Sequence, residues 1–336
     1  MNMKQWCRDM IAAPSKKAMP ILSFPCVSLM DVSVRDLVGN SELQAEGMRR
    51  VASEVPTAAS VSMMDLSVEA EAFGAQIRFS DDEVPTVTGA LVTSEEEARA
   101  LAVPAVGAGR TGRYIEAIRQ AAETITDRPV FAGVIGPFSL AGRLMDVTEA
   151  LVNCYAEPDM VHLVMEKATE FLTGYVLAYR EAGAAGVVLA EPLTGLLSPS
   201  MAAEFSEPYV RRLVDAVQTD DFIVIYHNCG DNTVAMIDSI LRTGAAAYHF
   251  GNSIRMRDML EKIPCDILVM GNVDPAGQFK EGTPESIREE TLRIMRECCA
   301  DFPNFLISSG CDIPPASRWE NIRAFFAAVD EFYSRA

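Results

Sequence analysis

Residues 222–231 read Phe222-Ile-Val-Ile-Tyr226-His227-Asn228-Cys229-Gly230-Asp231, an apolar, β-branched run that ends in polar and metal-capable side chains. Near-continuous hydrophobicity, instead of strict alternation, is what a strand covered on both faces requires. Comparable runs recur at Met19–Pro25, Ala59–Leu66, Pro129–Gly136, Ala185–Glu191, Ala245–Phe250, Asp266–Gly271 and Asn304–Ser308. Amphipathic helical segments lie between most of them. Pro158–Glu181 sets Met160, Val161, Val164, Met165, Ala168, Phe171 and Leu172 at a period of about 3.6 residues. Pro284–Cys299 and Arg318–Tyr333 read the same way. Alternating strand and helix imply parallel strands with right-handed crossovers, and eight repeats favour closure over an open sheet. The expected fold is α/β, a (β/α)8 TIM barrel. A single domain over residues 1–336 is expected, with an N-terminal extension and extra elements inserted between Gly74 and Asp127.

The chain is 49% hydrophobic and 23% charged, an ordinary globular balance. Its 336 residues suit a barrel with insertions, since such barrels take roughly 250 residues and more. No apolar stretch approaches the ~20 residues that span a bilayer, so no membrane role is expected. Met1–Cys7 lacks an apolar signal core, which predicts a cytoplasmic protein. With 29 basic and 47 acidic residues the net charge is −18, a field that repels a phosphate backbone and argues against nucleic acid. The eight cysteines are read as reduced, mostly small core residues with one or two available as ligands. Gly107-Ala-Gly109-Arg-Thr-Gly112 matches the dinucleotide pattern G-x-G-x-x-G. A helical Ser94–Leu101 run and Val103-Pro104 precede it instead of a strand, so it reads as a flexible loop leading into a helix from Tyr114.

Active-site residues in barrels of this type sit at the C-terminal ends of the strands. The expected exits deliver Cys26; Asp65 with Glu69 and Glu71; Gly136 to Ser139; Glu191-Pro192; His227 to Asp231; Gly251-Asn252; Gly271 to Pro275; and Ser308 to Asp312. His227 and Cys229, one residue apart, project to the same side of an extended strand end. Cys311 reaches the same point from across the barrel mouth. One imidazole and two thiolates suit Zn²⁺, and three protein ligands leave a fourth position open, as in catalytic zinc sites. On the residues alone the bland alternative stays open, because a His-x-Cys pair arises by chance and cysteine is often simply buried.

At these positions the chain resembles the uroporphyrinogen decarboxylase superfamily, and within it the methylcobamide:coenzyme M methyltransferases. The resemblance runs over nearly the whole chain, through Glu69-Ala-Glu-Ala-Phe-Gly74, Gly136-Pro137-Phe138, Glu191-Pro192 with Ser198-Pro199, His227-Asn-Cys229-Gly230, Gly271-Asn272-Val273-Asp274-Pro275 and Ser309-Gly310-Cys311-Asp312-Ile-Pro314. It implies that His227, Cys229 and Cys311 bind zinc, matching the branch's three ligands. Decarboxylases of the superfamily carry an arginine-rich motif after the first strand. Here Phe24 to Asp31 contains no arginine, and the first is Arg35.

The resemblance implies methyl transfer from a methylated corrinoid to a zinc-activated thiol such as coenzyme M, or to a pterin such as tetrahydrofolate. The chain carries no Asp-x-His-x-x-Gly corrinoid anchor, so a separate corrinoid protein is the expected partner. Glu191 is read either as a fourth zinc ligand or proton acceptor, or as a carboxylate bonded to loop backbone. Asp65, Tyr226, Asn252, Asn272 and Asp274 are the candidate substrate-binding residues, although Asn-x-Asp-Pro is also a good turn. His249 reads as a pocket residue or a satisfied core histidine, and His162 as a surface one. Cys298-Cys299, on a helix, and Cys26 are given no role. Two rivals remain: a lyase decarboxylating a tetrapyrrole or smaller acid, and a non-catalytic corrinoid- or metal-binding partner.

Overall fold

The apolar runs become parallel strands because each is short, branched and buried on both faces. In the computed structural model, which describes residues 1–334, these are β1 (Ser60–Val61), β4 (Val130–Ile135), β5 (Gly186–Ala190), β6 (Ile223–Asn228), β7 (Ala247–Phe250), β8 (Leu268–Val273) and β9 (Phe305–Ser309). They form one seven-stranded sheet in the order β1-β4-β5-β6-β7-β8-β9, every pair parallel. A separate antiparallel hairpin, β2 (Gln76–Arg78) and β3 (Thr86–Thr88), accounts for part of the inserted region. The long helix between β4 and β5 spans Pro158–Glu181 as its periodicity predicts, and Pro284–Cys298 and Trp319–Ser334 lie within a residue of expectation.

The expected first strand, Met19–Pro25, is not a regular strand, and the sheet therefore has seven members instead of eight. The segment still fills the gap between β9 and β1. The Met19 amide donates to Ile307 O, the Ala58 amide to Ala18 O, and the Ile21 amide to Ser309 Oγ. Pro20 has no N–H to continue a ladder, and side-chain oxygens take over where backbone pairing fails. Closure is thus achieved with an irregular stave.

Side chains alternate between two cores. Phe131, Val188, Ala190, Ile223, Ile225, Ala247, Leu268, Met270 and Leu306 pack together inside the curl. Val187, Leu189, Val224, Tyr226, Tyr248 and Val269 face the surrounding helices. The N-terminal helix Met3–Ala12 joins the inner group through Met3, Trp6 and Cys7, and its first amides donate to Asp220 O just before β6. It plugs the end of the barrel opposite the strand exits.

The Gly107–Gly112 loop is not free. Its Arg110 is 3% exposed and reaches Asp65 through Nη1, Glu71 through Nε and Ser67 Oγ through Nη2 at 2.9 Å. The helix that follows starts at Thr111, ahead of the expected Tyr114, and the Tyr114 hydroxyl also donates to Asp65 at 3.0 Å. Beside this network Glu69 is buried, with Oε1 accepting the Ile135 amide and Oε2 without a partner. Burial pushes its carboxyl up to about 8.

Removing one partner of a buried pair strands the other's charge. Arg110→Leu is expected to cost about 3–5 kcal/mol in denaturant unfolding. Adding Asp65→Asn should recover part of that, and wild-type stability in the single variant would contradict the network's role. Glu69 keeps its proton in the fold and loses it in the unfolded chain, so the native state binds more protons and stability falls as pH rises from ~4.3 toward the folded value. Glu69→Gln should therefore gain on wild type between about pH 5 and 8, by on the order of 1 kcal/mol per unit. A difference independent of pH would show that Glu69 is ionised in the fold.

Candidate metal centre

His227 is the last inward-facing residue of β6, continuing the row Ile223, Ile225. Cys229 follows just past the strand end, and Cys311 stands two residues beyond β9. One ligand atom from each lies within 4.8 Å of the other two, and His227 Nε2 is 3.5 Å from Cys311 Sγ. Tetrahedral zinc with Zn–S near 2.3 Å and Zn–N near 2.05 Å would hold an N···S edge of roughly 3.6 Å. The donor set and its spacing fit zinc.

The two thiols do not behave alike. A hydrogen bond from Cys311, against the opposing cost of burial, holds Cys229 well below the usual thiol range, and His227 adds to the effect. Cys311 is pushed up by that same bond and by burial.

Backbone crowding shapes the loop. A Cβ at Gly251 would stand 2.5 Å from Cys229 Cα and Cβ, and one at Gly230 would stand 2.5 Å from Gly195 Cα. Glycine is required where the β7 exit and the segment after β5 press on the ligand loop. Asn228, between the two β6 ligands, faces the other way. Its Nδ2 donates to Glu191 O at 3.0 Å, while Oδ1 accepts from the Gly230 amide at 2.9 Å and from Thr233 Oγ1 at 3.1 Å. Sequence reading had passed over Asn228, although its place inside His-x-Cys was the available signal.

His249 is the satisfied core histidine expected, and it also touches a ligand. The β6–β7 register sets it beside His227, with the two Nδ1 atoms 2.8 Å apart. Its Nε2 lies 2.8 Å from Ser308 Oγ, whose hydroxyl donates to Met19 O at 2.7 Å. Burial, and the second imidazole of His227 beside it, lower the His249 pKa well below 6.5, so the ring is neutral. A consistent assignment has Ser308 donating to Met19, His249 donating to Ser308 from Nε2, and His227 donating to His249 from Nδ1. That leaves His227 Nε2 with a free lone pair turned toward Cys311.

The other candidates are placed as follows. Glu191 is fully buried and accepts from the Phe138 and Ser139 amides at 2.9 and 3.0 Å, from Ser139 Oγ at 2.7 Å and from Thr194 Oγ1 at 3.3 Å. It caps the N-terminus of the helix Pro137–Met145, and burial outweighs these bonds to bring its carboxyl up to about 7. This is the backbone-bonded arrangement, and Glu191 is not in the His227–Cys229–Cys311 group. Tyr226 is buried on the outward face of β6, opposite to His227. Asp65 is committed to Arg110, Ser67 and Tyr114. Asn252, Asn272 and Asp274 line one cavity of about 290 Å³ that none of the three metal donors enters. Within it Asn272 donates to Gly251 O and Ile254 O, and Asp274 accepts the Ala276 and Gly277 amides, the turn that Asn-x-Asp-Pro favours. His162 is half-buried instead of on the surface, stacked on Phe205 with Nδ1 2.7 Å from Tyr209 Oη. Cys26 is buried and its thiol is pushed up to about 12.

The fold has known counterparts. A methyltransferase structure from Methanosarcina mazei superimposes with a TM-score of 0.87, covering 99% of both chains at 23% identity. Methylcobamide:CoM methyltransferase MtbA of Methanosarcina acetivorans is 26% identical over 74% of this chain and 72% of its own. Uroporphyrinogen decarboxylase of Alcanivorax borkumensis is 25% identical over 89% of this chain and 86% of its own. The family model for uroporphyrinogen decarboxylase (URO-D) matches residues 14–332, and the chain belongs to that family.

Proposed function

We propose that the protein is a cytoplasmic zinc-dependent methyltransferase that moves a methyl group from a methylated corrinoid, carried by a separate protein, to a small thiol. A pterin such as tetrahydrofolate is the second candidate acceptor. The observation that carries this reading is the triangle of His227, Cys229 and Cys311 donors at the barrel mouth, spaced for a tetrahedral metal and supplying only three ligands. Zinc in that triangle would act as a Lewis acid that keeps a substrate thiol ionised at neutral pH.

The chain's own residues prepare the site. The contact with Cys311 lowers the Cys229 thiol below its usual range, which favours the thiolate form that a metal binds. The His227–His249–Ser308–Met19 series fixes which imidazole nitrogen is offered and holds the ring. A neutral imidazole in that supporting place adds no charge, where a carboxylate would add one. Asn228 and the glycines at 230 and 251 hold the loop closed around the donors. Glu191 ties the segment after β5 to the helix Pro137–Met145, and its backbone oxygen accepts from Asn228, between the two β6 ligands.

A decarboxylase is the second reading, favoured by the longer span of the decarboxylase relative. It leaves the two converging thiols without a task.

Metal analysis of freshly reduced protein should find about one zinc per chain, with Cys311→Ala and His227→Ala losing it or binding it far more weakly. Loaded protein should then demethylate methylcobalamin in the presence of a thiol. Zinc-free wild type would sink the reading and bring the lyase forward. His249→Phe keeps the volume but removes the 2.8 Å acceptor of the His227 Nδ1 proton, leaving only the longer contact to the backbone oxygen of residue 249 at 3.3 Å. Its zinc affinity, measured by chelator competition, should fall about 10–100-fold, and an unchanged affinity would remove His249 from the metal's support.

A further inference from the structure

Two thiols that meet across the barrel mouth can bond to each other as well as to a metal. Cys229 and Cys311 come from different strand exits, and their sulfurs lie within 4.8 Å of one another. A disulfide needs them about 2.05 Å apart. Both side chains are partly exposed, so a small oxidant in solvent can reach them. Four of the other six cysteines, Cys7, Cys26, Cys154 and Cys298, are buried. Cys298 and Cys299 are chain neighbours. Their Cα atoms stand about 3.8 Å apart across a trans peptide, short of the roughly 4.4–6.8 Å that a disulfide spans.

The two loops differ in their freedom to close. Cys229 is wedged, because a Cβ at Gly251 would stand 2.5 Å from its Cα, and its carbonyl accepts from Ser253 Oγ at 2.7 Å. Cys311 stands between two anchors, the Gly310 amide on Val273 O and the Ile313 amide on Ile21 O at 3.0 Å. Among the described residues no backbone hydrogen bond holds the Cys311 amide itself. Rotating the Cys311 side chain, with a small shift of that short span, brings the sulfurs together and leaves the end of β6 in place. The 3.5 Å contact between Cys311 Sγ and His227 Nε2 is what the movement gives up.

We propose that Cys229 and Cys311 form a reversible disulfide when the protein meets a peroxide, and that this bond disables the metal centre. One sulfur attacks a peroxide oxygen: an S–O bond forms, the O–O bond breaks, and hydroxide leaves with that thiol's proton as water. The second sulfur then attacks the first. An S–S bond forms, the S–O bond breaks, and the second thiol's proton leaves with hydroxide as water. Two thiols lose two electrons in all, and one hydrogen peroxide becomes two waters. A dithiol reductant reverses the bond by exchange. In the disulfide neither sulfur is a thiolate, so two of the three donors are lost. The bond needs only the two thiols, while its role as a switch rests on the zinc reading.

The test treats reduced, chelator-stripped wild type with hydrogen peroxide, blocks free thiols with iodoacetamide and reads a chymotryptic digest by mass spectrometry. Cleavage after Leu306 separates Cys311 from Cys298 and Cys299. A joined pair of peptides carrying Cys229 and Cys311 is expected, lighter by two hydrogens than the free thiols and lost on adding dithiothreitol. Zinc uptake, followed with a chromogenic chelator, should fall about tenfold or more in the oxidised protein and return on reduction. Zinc loaded before the peroxide should slow the bond by roughly tenfold, and Cys298→Ser should behave as wild type. Sulfinic acid at either position without a joined pair, or a bond from either to another cysteine, overturns the proposal. A joined pair in a protein whose reduced form takes up no zinc overturns the zinc reading and the switch with it, while the thiol pairing stands.

Discussion

The strict period of two along the parallel strands is the constraint on which the rest depends. Turning Ile223 and Ile225 into the barrel turns His227 inward as well. The register Ala190↔His227↔His249↔Met270 then sets a second histidine in the same interior layer, and Ser308, two residues beyond Met270's partner Leu306 on β9, meets its Nε2. A slip of one residue would bring Tyr226 and Tyr248 into a space now filled by Ala247, Leu268 and Met270. The packing that makes the barrel stable and the geometry that aims the His227 ring are one arrangement, and the ligand is oriented by the core at no separate cost in order.

Polar residues at the strand exits divide into those that build the loops and those left for chemistry. Asn228, Asn272, Glu191 and Asp274 spend their side chains on backbone groups that would otherwise be buried unpaired. Asp65 is tied to Arg110 in a network that pins the inserted loop. Among the described residues, the two thiols and the His227 lone pair are left converging on one point. An unsatisfied group in an otherwise satisfied surface is where a ligand recovers the most free energy.

Much of this was legible in the sequence, and the failures have physical causes. The seven regular strands and the helix Pro158–Glu181 follow from hydrophobic runs and a helical period that no tertiary contact overrides. His227, Cys229 and Cys311 were readable because strand ends point at one place in a barrel. Met19–Pro25 misled because its composition is strand-like while Pro20 denies it a ladder. Arg110 and the His227–His249 contact were invisible, since each depends on a long-range approach that local spacing does not encode. Tyr226 was misjudged for a simpler reason: as the residue preceding an inward ligand, it must face outward.

The balance of charge at the strand exits bears on which substrate the family fold serves here. Arg110 is matched by Asp65 and Glu71, Arg293 by Glu290 and Glu297, and Arg255 by Asp258 and Glu297. A tetrapyrrole with four carboxylates would need several free cations to offset both its own charge and the net −18 of the chain. The stretch after the irregular first stave, Phe24 to Asp31, supplies none. Two cysteine thiolates and a neutral imidazole would in turn cancel the charge of a divalent zinc ion, so a bound thiolate would bring its own negative charge to the mouth uncompensated. With no cation in that stretch and these exit arginines already paired, the charge balance favours a small acceptor over a polycarboxylate.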